Sequence, residues 1–81
     1  MTGPRLTHER RRALELLASI PYGVNEELLV YGHGFTRRML AGLVGTGLAT
    51  GRCEVITAGA KAVEVCKVGI TAMGRRAIED P

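Results

Sequence analysis

Residues 34–51 read GFTRRMLAGLVGTGLATG, and this stretch decides the fold of the chain. Thr36 is a good helix cap because its hydroxyl can accept a hydrogen bond from an N–H of the first turn. Apolar residues then recur at helical spacing, and Gly47 suits the left-handed backbone position just past a helix end. The stretch therefore predicts a helix over residues 36–46.

The buried side of this helix is predicted from its apolar residues, which are Met39, Leu40, Leu43 and Val44. Leu48, which follows Gly47, is expected to contact Leu43, as an apolar residue does in a Schellman helix ending. Gly42 and Gly45 each weaken the helix by up to ~1 kcal/mol. Packing against the rest of the chain must therefore hold the helix in place.

The outward side of the helix is predicted to carry Arg37, Arg38, Ala41, Gly42 and Gly45. Two cations at a helix N-terminus are mildly unfavourable, so their presence suggests a gain elsewhere, and a contact with phosphate supplies one. A solvated helix start is the alternative interpretation. The small residues also permit close approach by a protein partner, which makes a protein-interaction or dimerisation module the competing hypothesis.

The residues before this stretch predict two further helices. Thr7 caps the first helix, and Pro21-Tyr22-Gly23 ends it. Its broad apolar face consists of Ala13, Leu14, Leu16, Leu17, Ala18 and Ile20. Asn25 caps a second, short helix in which Leu28 and Leu29 are expected to point inward.

After Thr50 the apolar period changes from helical spacing to two, which is typical of strands. The pattern predicts two strands, at residues 52–57 and 62–68, joined by a turn at 58–61. A symmetric turn places Cys53 opposite Cys66. A short terminal helix, capped by Thr71, follows the second strand.

The order helix, helix, turn, helix, hairpin, helix is that of a winged helix. We therefore predict an α+β fold, a winged helix-turn-helix with a three-helix core, a β-hairpin wing and a short C-terminal helix. One domain is expected over residues 1–81, with its core at residues 6–80.

Two segments resemble the winged-helix repressors of the MarR-like group. Residues 40–49, LAGLVGTGLA, resemble the L-x-x-L-x-x-x-G-L junction between their recognition helix and wing. Residues 70–75, ITAMGR, resemble their L-T-x-x-G-R re-entry after the wing. The resemblance implies that the helix at residues 36–46 enters the major groove of duplex DNA, while the wing touches the backbone or the minor groove. The expected function is that of a small transcription regulator of bacterial type.

The charge of the chain is compatible with a polyanionic partner, since the formal net charge is +3 and the pI is about 9.3. Arginines of the first helix and the lysine of the hairpin turn are expected to add backbone contacts. The predicted DNA-binding residues are Thr36, Arg37, Arg38, Ala41, Gly42, Lys61, Arg10 and Arg11. For the arginines of the first helix, a solvated helix face is the alternative. Because Arg10, Arg11 and Arg12 span about 200° of the helix surface, they cannot all share one face.

Other classes of function are not favoured by the sequence. No apolar run reaches 18 residues and no apolar leader follows Met1, so we expect a cytoplasmic protein without a membrane partner. His8 and His33 lie on separate elements, and the sequence shows no partner acid or nucleophile for either, so no enzyme activity is predicted. Neither a cofactor nor a small-molecule ligand is indicated.

The two cysteines of the chain, Cys53 and Cys66, are expected to be a reduced pair of small thiols. A redox-switched disulfide across the hairpin is the alternative. No metal site is predicted, because structural zinc sites place two of their ligands two to four residues apart and no such pair occurs here.

Overall fold

The structure is a computed structural model that describes residues 6–79. Its helical elements are α1 (His8–Ala18), a π-helical turn (Leu28–Gly32), α2 (Arg37–Gly45) and α3 (Ala72–Glu79). Its strands are β1 (Val24–Asn25), β2 (Ala49–Ala58) and β3 (Lys61–Ile70), in the antiparallel sheet order β1-β3-β2. The fold is therefore α+β, with a β2–β3 hairpin and a C-terminal helix. The predicted limits of the domain, residues 1–81, extend beyond the described residues.

Helix α2 begins and ends as the sequence predicts. The Thr36 hydroxyl accepts a hydrogen bond from the Met39 N–H at 3.1 Å. At the other end, Gly47 adopts a left-handed φ of 82°. The Leu48 N–H then donates to the Leu43 carbonyl at 2.9 Å, and the Gly47 N–H donates to the Val44 carbonyl at 3.1 Å, which are the two hydrogen bonds of a Schellman ending. The helix prediction over residues 36–46 is confirmed.

The core lies where α1, α2 and the π-helical turn meet the base of the sheet. Its buried members are Ala13, Leu14, Leu17, Val24, Leu29, Phe35, Leu40, Leu43, Leu48, Ala49 and Val68. Within residues 6–79 no polar or charged residue is buried. Apolar burial is therefore the interaction that holds these elements together inside the core.

Three residues predicted to lie on apolar, buried faces are exposed. Ile20 is 37% exposed because α1 ends at Ala18, before this residue. Leu28 is 59% exposed, because the backbone here is π-helical, as the hydrogen bond from the His33 N–H to the Leu28 carbonyl shows. The 3.6-residue period that turned both leucines inward does not hold in such a turn. Val44 is 39% exposed because it lies on the flank of α2 that faces the hairpin and not on the side that faces the core.

Strand β1 was not predicted. Val24 pairs with Val68 and Asn25 with Lys67, so β1 lies beside the base of β3. Two residues are too few to show an alternating pattern. Asn25, predicted to cap a second helix, is the last residue of β1, and the element that follows is the π-helical turn. Its side-chain carbonyl nevertheless accepts a hydrogen bond from the Glu27 N–H at 2.9 Å.

The β2–β3 hairpin is longer than predicted and extends away from the helices. Each strand has ten residues, and every residue from 50 to 64 is exposed. The described chain measures 53 × 22 × 21 Å as a result. The pairing of Cys53 with Cys66 is confirmed.

The expectation of reduced cysteines is wrong for this structure, in which Cys53 and Cys66 form a disulfide. Their Cα atoms are 3.9 Å apart, which is the short separation of a directly opposite pair that does not exchange backbone hydrogen bonds. Side chains approach one another most closely at such pairs. Cysteine number and spacing do not contain this information, whereas the strand register does.

Helix α3 begins against the junction of α2 and β2. The Thr71 hydroxyl accepts a hydrogen bond from the Gly74 N–H at 3.0 Å and donates one to the Gly47 carbonyl at 2.6 Å. The Thr71 N–H also donates to the Leu48 carbonyl at 3.2 Å. Gly74 is buried, and a side chain there would overlap that same carbonyl. Thr71 therefore caps α3 as predicted and also joins it to the end of α2.

We expect Gly74→Ala to lower the free energy of unfolding by about 1–3 kcal/mol or more, because a methyl group would push α3 away from the Leu48 carbonyl. Gly45→Ala is the matched control, since a Cβ atom added there would meet no atom within 4 Å outside its own helix. The stability of this variant should be unchanged or up to ~1 kcal/mol higher than that of the parent. Urea denaturation of both variants measures the difference. Equal stability of the Gly74→Ala variant and the parent would contradict the close approach.

Candidate nucleic-acid interface

Arg37, in the first turn of α2, is held by the π-helical turn. Its Nε atom lies 3.5 Å from a carboxylate oxygen of Glu26, and its guanidinium carbon lies 5.8 Å from the centre of the Tyr31 ring. Tyr31 first and Glu26 second raise the pKa of Arg37 above its ordinary value. Arginine is charged at neutral pH in any environment, and Glu26 offsets part of the positive charge of Arg37.

Arg38, the next residue, is exposed on the outward side of α2. Within the part of the chain that the structure describes, neither an ion pair nor a hydrogen bond holds its guanidinium. Ala41 and Gly45 are exposed beside it. Of the two arginines of α2, Arg38 is thus the one without an ion pair among residues 6–79.

Arg10 reaches α2 from α1 and covers Gly42. A methyl group at Gly42 would lie only 2.9 Å from Nη2 of Arg10, so the glycine leaves room for the guanidinium. Residues four apart share one face of a helix, so Arg38 and Gly42 are neighbours on α2. The fold therefore brings Arg10 and Arg38 to the same helix face. Gly42, which was predicted to be outward and bare, is half-buried beneath this side chain.

Arg11 and Arg12 point elsewhere, as expected of consecutive helical residues. Nη1 of Arg11 donates a hydrogen bond to the Ile78 carbonyl in α3 at 3.3 Å. The guanidinium of Arg12 lies 5.2 Å from the centre of the Phe35 ring and 4.0 Å from the Glu9 carboxylate. Of the arginines predicted from α1 to bind DNA, the structure places Arg10 on α2 and Arg11 on α3.

The remaining predicted residues are spread over the structure. The hydroxyl of Thr36 is used as the cap of α2. Lys61 is exposed at the tip of the hairpin, opposite Ala58. The length of the hairpin therefore separates Lys61 from α2, and the two can meet one ligand only if that ligand is extended.

A cleft of about 100 Å³ lies between α2 and the base of the hairpin. Ala41 and Val44 line it from the helix, and Cys53 and Cys66 line it from the strands. The two cysteines and Glu64 place their ligand atoms within 4.8 Å of one another. In this structure the two sulfurs are bonded to each other, so neither is a thiolate that could bind a metal.

Sequence reasoning missed the residues that set the positions of these arginines. Glu26 and Tyr31 were not connected with Arg37, and Gly42 was not connected with Arg10. No local sequence pattern could have linked Gly42 with Arg10, since these two residues are on different helices. The contacts of Arg37 had a weak signal in the sequence, because Glu26 and Tyr31 precede the arginine in a short connection.

Comparison of the chain with protein-family models, with curated proteins and with solved structures finds no match. The resemblance of residues 40–49 and 70–75 to the MarR-like repressors therefore stays a prediction. Among the described residues, no helix has both the length and the apolar character needed to cross a membrane.

We expect Gly42→Ala to leave the fold intact and to raise the stability by up to ~1 kcal/mol. The methyl group meets only the far end of the flexible Arg10 side chain, which can move, and alanine removes the conformational penalty of glycine in a helix. Thermal unfolding followed by circular dichroism measures the change. A loss of more than about 1 kcal/mol would instead show that Arg10 cannot leave its position on α2 without disturbing the core.

Proposed function

We propose that the chain is a small winged-helix protein that binds duplex DNA through the outward face of α2. In this proposal the π-helical turn and α2 form the helix-turn-helix, and the β2–β3 hairpin is the wing. The order of the elements supports the assignment, as does the open outward side of α2. Transcription regulation remains the predicted role.

The observation that carries the proposal is that Arg10 of α1 lies over Gly42, one helical turn from Arg38 on the same face of α2. Two cations from different helices therefore lie on one helix face, which favours the binding of an anion there. Phosphate is the anion that arginine recognises best, because the planar guanidinium presents several donors to its oxygens. We assign Arg38 and Arg10 to phosphate contacts.

Arg37 has a positioning role in this proposal. Its contacts with Glu26 and Tyr31 fix the start of α2 against the preceding turn. These contacts keep the orientation of the helix constant, and the Arg37 side chain itself does not contact the DNA. Lys61 would contact the backbone at a distance from α2, as a wing does.

Base readout is expected to be limited. Ala41 and Gly45, the other exposed residues of the outward face, have no side-chain donors or acceptors. Specific recognition in the major groove normally uses three or four side chains that reach base edges. The ratio of specific to random affinity should therefore lie toward the low end of the usual range of ~10³–10⁷.

The proposal assigns binding and no catalysis, without a cofactor or a small-molecule ligand. His8 and His33 are both exposed, at the start of α1 and after the π-helical turn. The alternative, a protein partner packed on a bare face of α2, loses its main support because Arg10 covers Gly42. DNA is therefore the partner that the geometry favours.

Salt-dependent DNA binding tests the proposal. Arg38→Ala and Arg10→Ala should each flatten the slope of log K against log salt concentration by about 0.9, the effect of one lost phosphate contact. Arg11→Ala is the matched control, because it removes the same charge from the same helix while its guanidinium is bonded to α3. Fluorescence anisotropy with random-sequence duplex DNA provides the measurement. If all three variants change the slope equally, the α2 face has no special role, and if the parent does not bind, the proposal fails.

Glu26→Gln should tighten DNA binding by about threefold to tenfold at low salt, because it removes a repulsive carboxylate and leaves the charge of Arg37 uncompensated, while the contact with Tyr31 still positions that side chain. The pKa of Arg37 stays far above neutral without Glu26, so the side chain is fully charged at pH 7. Glu27→Gln, which changes the same charge one residue away in an exposed position, should have a smaller effect. Titrations of both variants at one salt concentration distinguish them, and equal affinities would argue against a place for Arg37 near the DNA.

A further inference from the structure

Strand β2 is an open edge of the sheet. It is bonded to β3 alone, since the sheet order is β1-β3-β2. Within residues 6–79, no backbone hydrogen bond outside the β2–β3 ladder involves residues 49–58. From Thr50 to Ala58 every residue of the strand is also exposed. Such an edge is a template for pairing with another strand.

The register of the hairpin shows which residues of β2 offer hydrogen bonds at this edge. Cys53 and Cys66 are a pair that does not exchange backbone hydrogen bonds, as their Cα separation of 3.9 Å indicates. The N–H and C=O groups of Cys53 therefore point away from β3. By alternation, those of Gly51 and Val55 do the same.

The charges of β2 are unpaired within the described structure. Arg52 lies opposite Lys67 in its own hairpin, and like charges in that position are destabilising. Glu54 lies opposite the apolar Val65. Neither Arg52 nor Glu54 takes part in an ion pair among residues 6–79. Arg52 and Glu54 carry opposite charges, and their side chains project from the same face of the strand.

We propose that a second copy of this chain pairs with β2 in an antiparallel manner, centred on Cys53. In this register Arg52 lies opposite the partner's Glu54, and Glu54 lies opposite the partner's Arg52. Gly51, Cys53 and Val55 of both copies exchange about six backbone hydrogen bonds. The result is a two-fold symmetric dimer in which the two sheets become continuous.

The charges select this register from its neighbours. Two-fold symmetry and the direction of the free N–H groups restrict the alternatives to those in which a residue pairs with itself at the centre. A register centred on Arg52 would place the Arg52 side chains of the two copies opposite each other. A register centred on Glu54 would place the two Glu54 carboxylates opposite each other. Only the register centred on Cys53 pairs opposite charges on both sides of the axis.

An apolar contact favours the same register. The side chain of Val55 is 66% exposed, and in the dimer it lies opposite the partner's Gly51. In each copy Val44 lies beside Gly51, since a Cβ atom added to Gly51 would be 3.7 Å from the Val44 Cγ2 atom. The side chain of Val44 is 39% exposed. Pairing therefore covers two exposed valines in each copy. The proposal does not depend on DNA binding, because it uses the edge of β2 and not the face of α2.

Charge exchange tests the dimer. Sedimentation equilibrium of the oxidised full chain should show a monomer–dimer equilibrium, and Arg52→Glu or Glu54→Arg should weaken it by about tenfold or more. The double variant with both changes should return to within about threefold of the parent, because the opposite charges face each other again. Arg52→Glu places an anion opposite Lys67 in the same hairpin, so it should not harm folding, and thermal unfolding checks this. A parent that is monomeric up to about 1 mM, or a double variant without recovery, would overturn the proposal.

Cross-linking tests the register independently. In Cys66→Ser the free Cys53 lies opposite the partner's Cys53, so two thiols and one oxidised glutathione should give an inter-chain disulfide and two reduced glutathiones. Cys53→Ser is the matched control, because its Cys66 lies on β3, one strand further from the axis. Non-reducing electrophoresis should show a covalent dimer for the first variant and not for the second. Equal cross-linking of the two variants would place the contact elsewhere and would exclude this register.

Discussion

The approach of Gly74 to the Leu48 carbonyl is the contact on which the rest of the structure depends. It fixes the start of α3 against the point where α2 ends and β2 begins, and Thr71 strengthens the junction with hydrogen bonds to two carbonyls. Because α2, the hairpin and α3 all meet there, their directions are set together. A side chain at Gly74 would separate them, so the absence of a Cβ atom is a constraint on the whole fold.

The same dependence on a missing side chain occurs at the candidate interface. Gly42 weakens α2 as an isolated helix, yet it gives the Arg10 guanidinium a place on the helix surface. What the glycine makes possible is a feature of the assembled structure, the placement of Arg10 and Arg38 on one face of α2. Arg37 has the opposite arrangement, since Glu26 and Tyr31 hold it to the preceding turn. The three cations near α2 are thus not equivalent, and the two that are not ion-paired carry the proposed DNA contact.

The long hairpin needs support that the core does not provide. A two-stranded hairpin is marginally stable in water, and here the residues from 50 to 64 are exposed. The disulfide joins residues 13 apart in sequence. In the chain-entropy model, closing a loop of that size raises the free energy of the unfolded chain by about 3 kcal/mol, because it removes conformational entropy. Pairing of two β2 edges would add hydrogen bonds and cover apolar surface at the same strand. The disulfide stabilises the part of the molecule that is farthest from the helices, and the proposed pairing would stabilise the same part.

The sequence by itself determined the elements whose signals are local: the Thr36 cap and Gly47 ending of α2, the cap at Thr71, and the alternation that places Cys53 opposite Cys66. Each depends on neighbouring residues and on a fixed backbone period, so it can be seen without the fold. Only the tertiary structure decided that Leu28 is exposed, that β1 pairs with β3, that the two thiols are joined, and that Arg10 covers Gly42 while Arg11 bonds to α3. These features depend on distances between separate elements, and a period along one element does not specify what another element places against it.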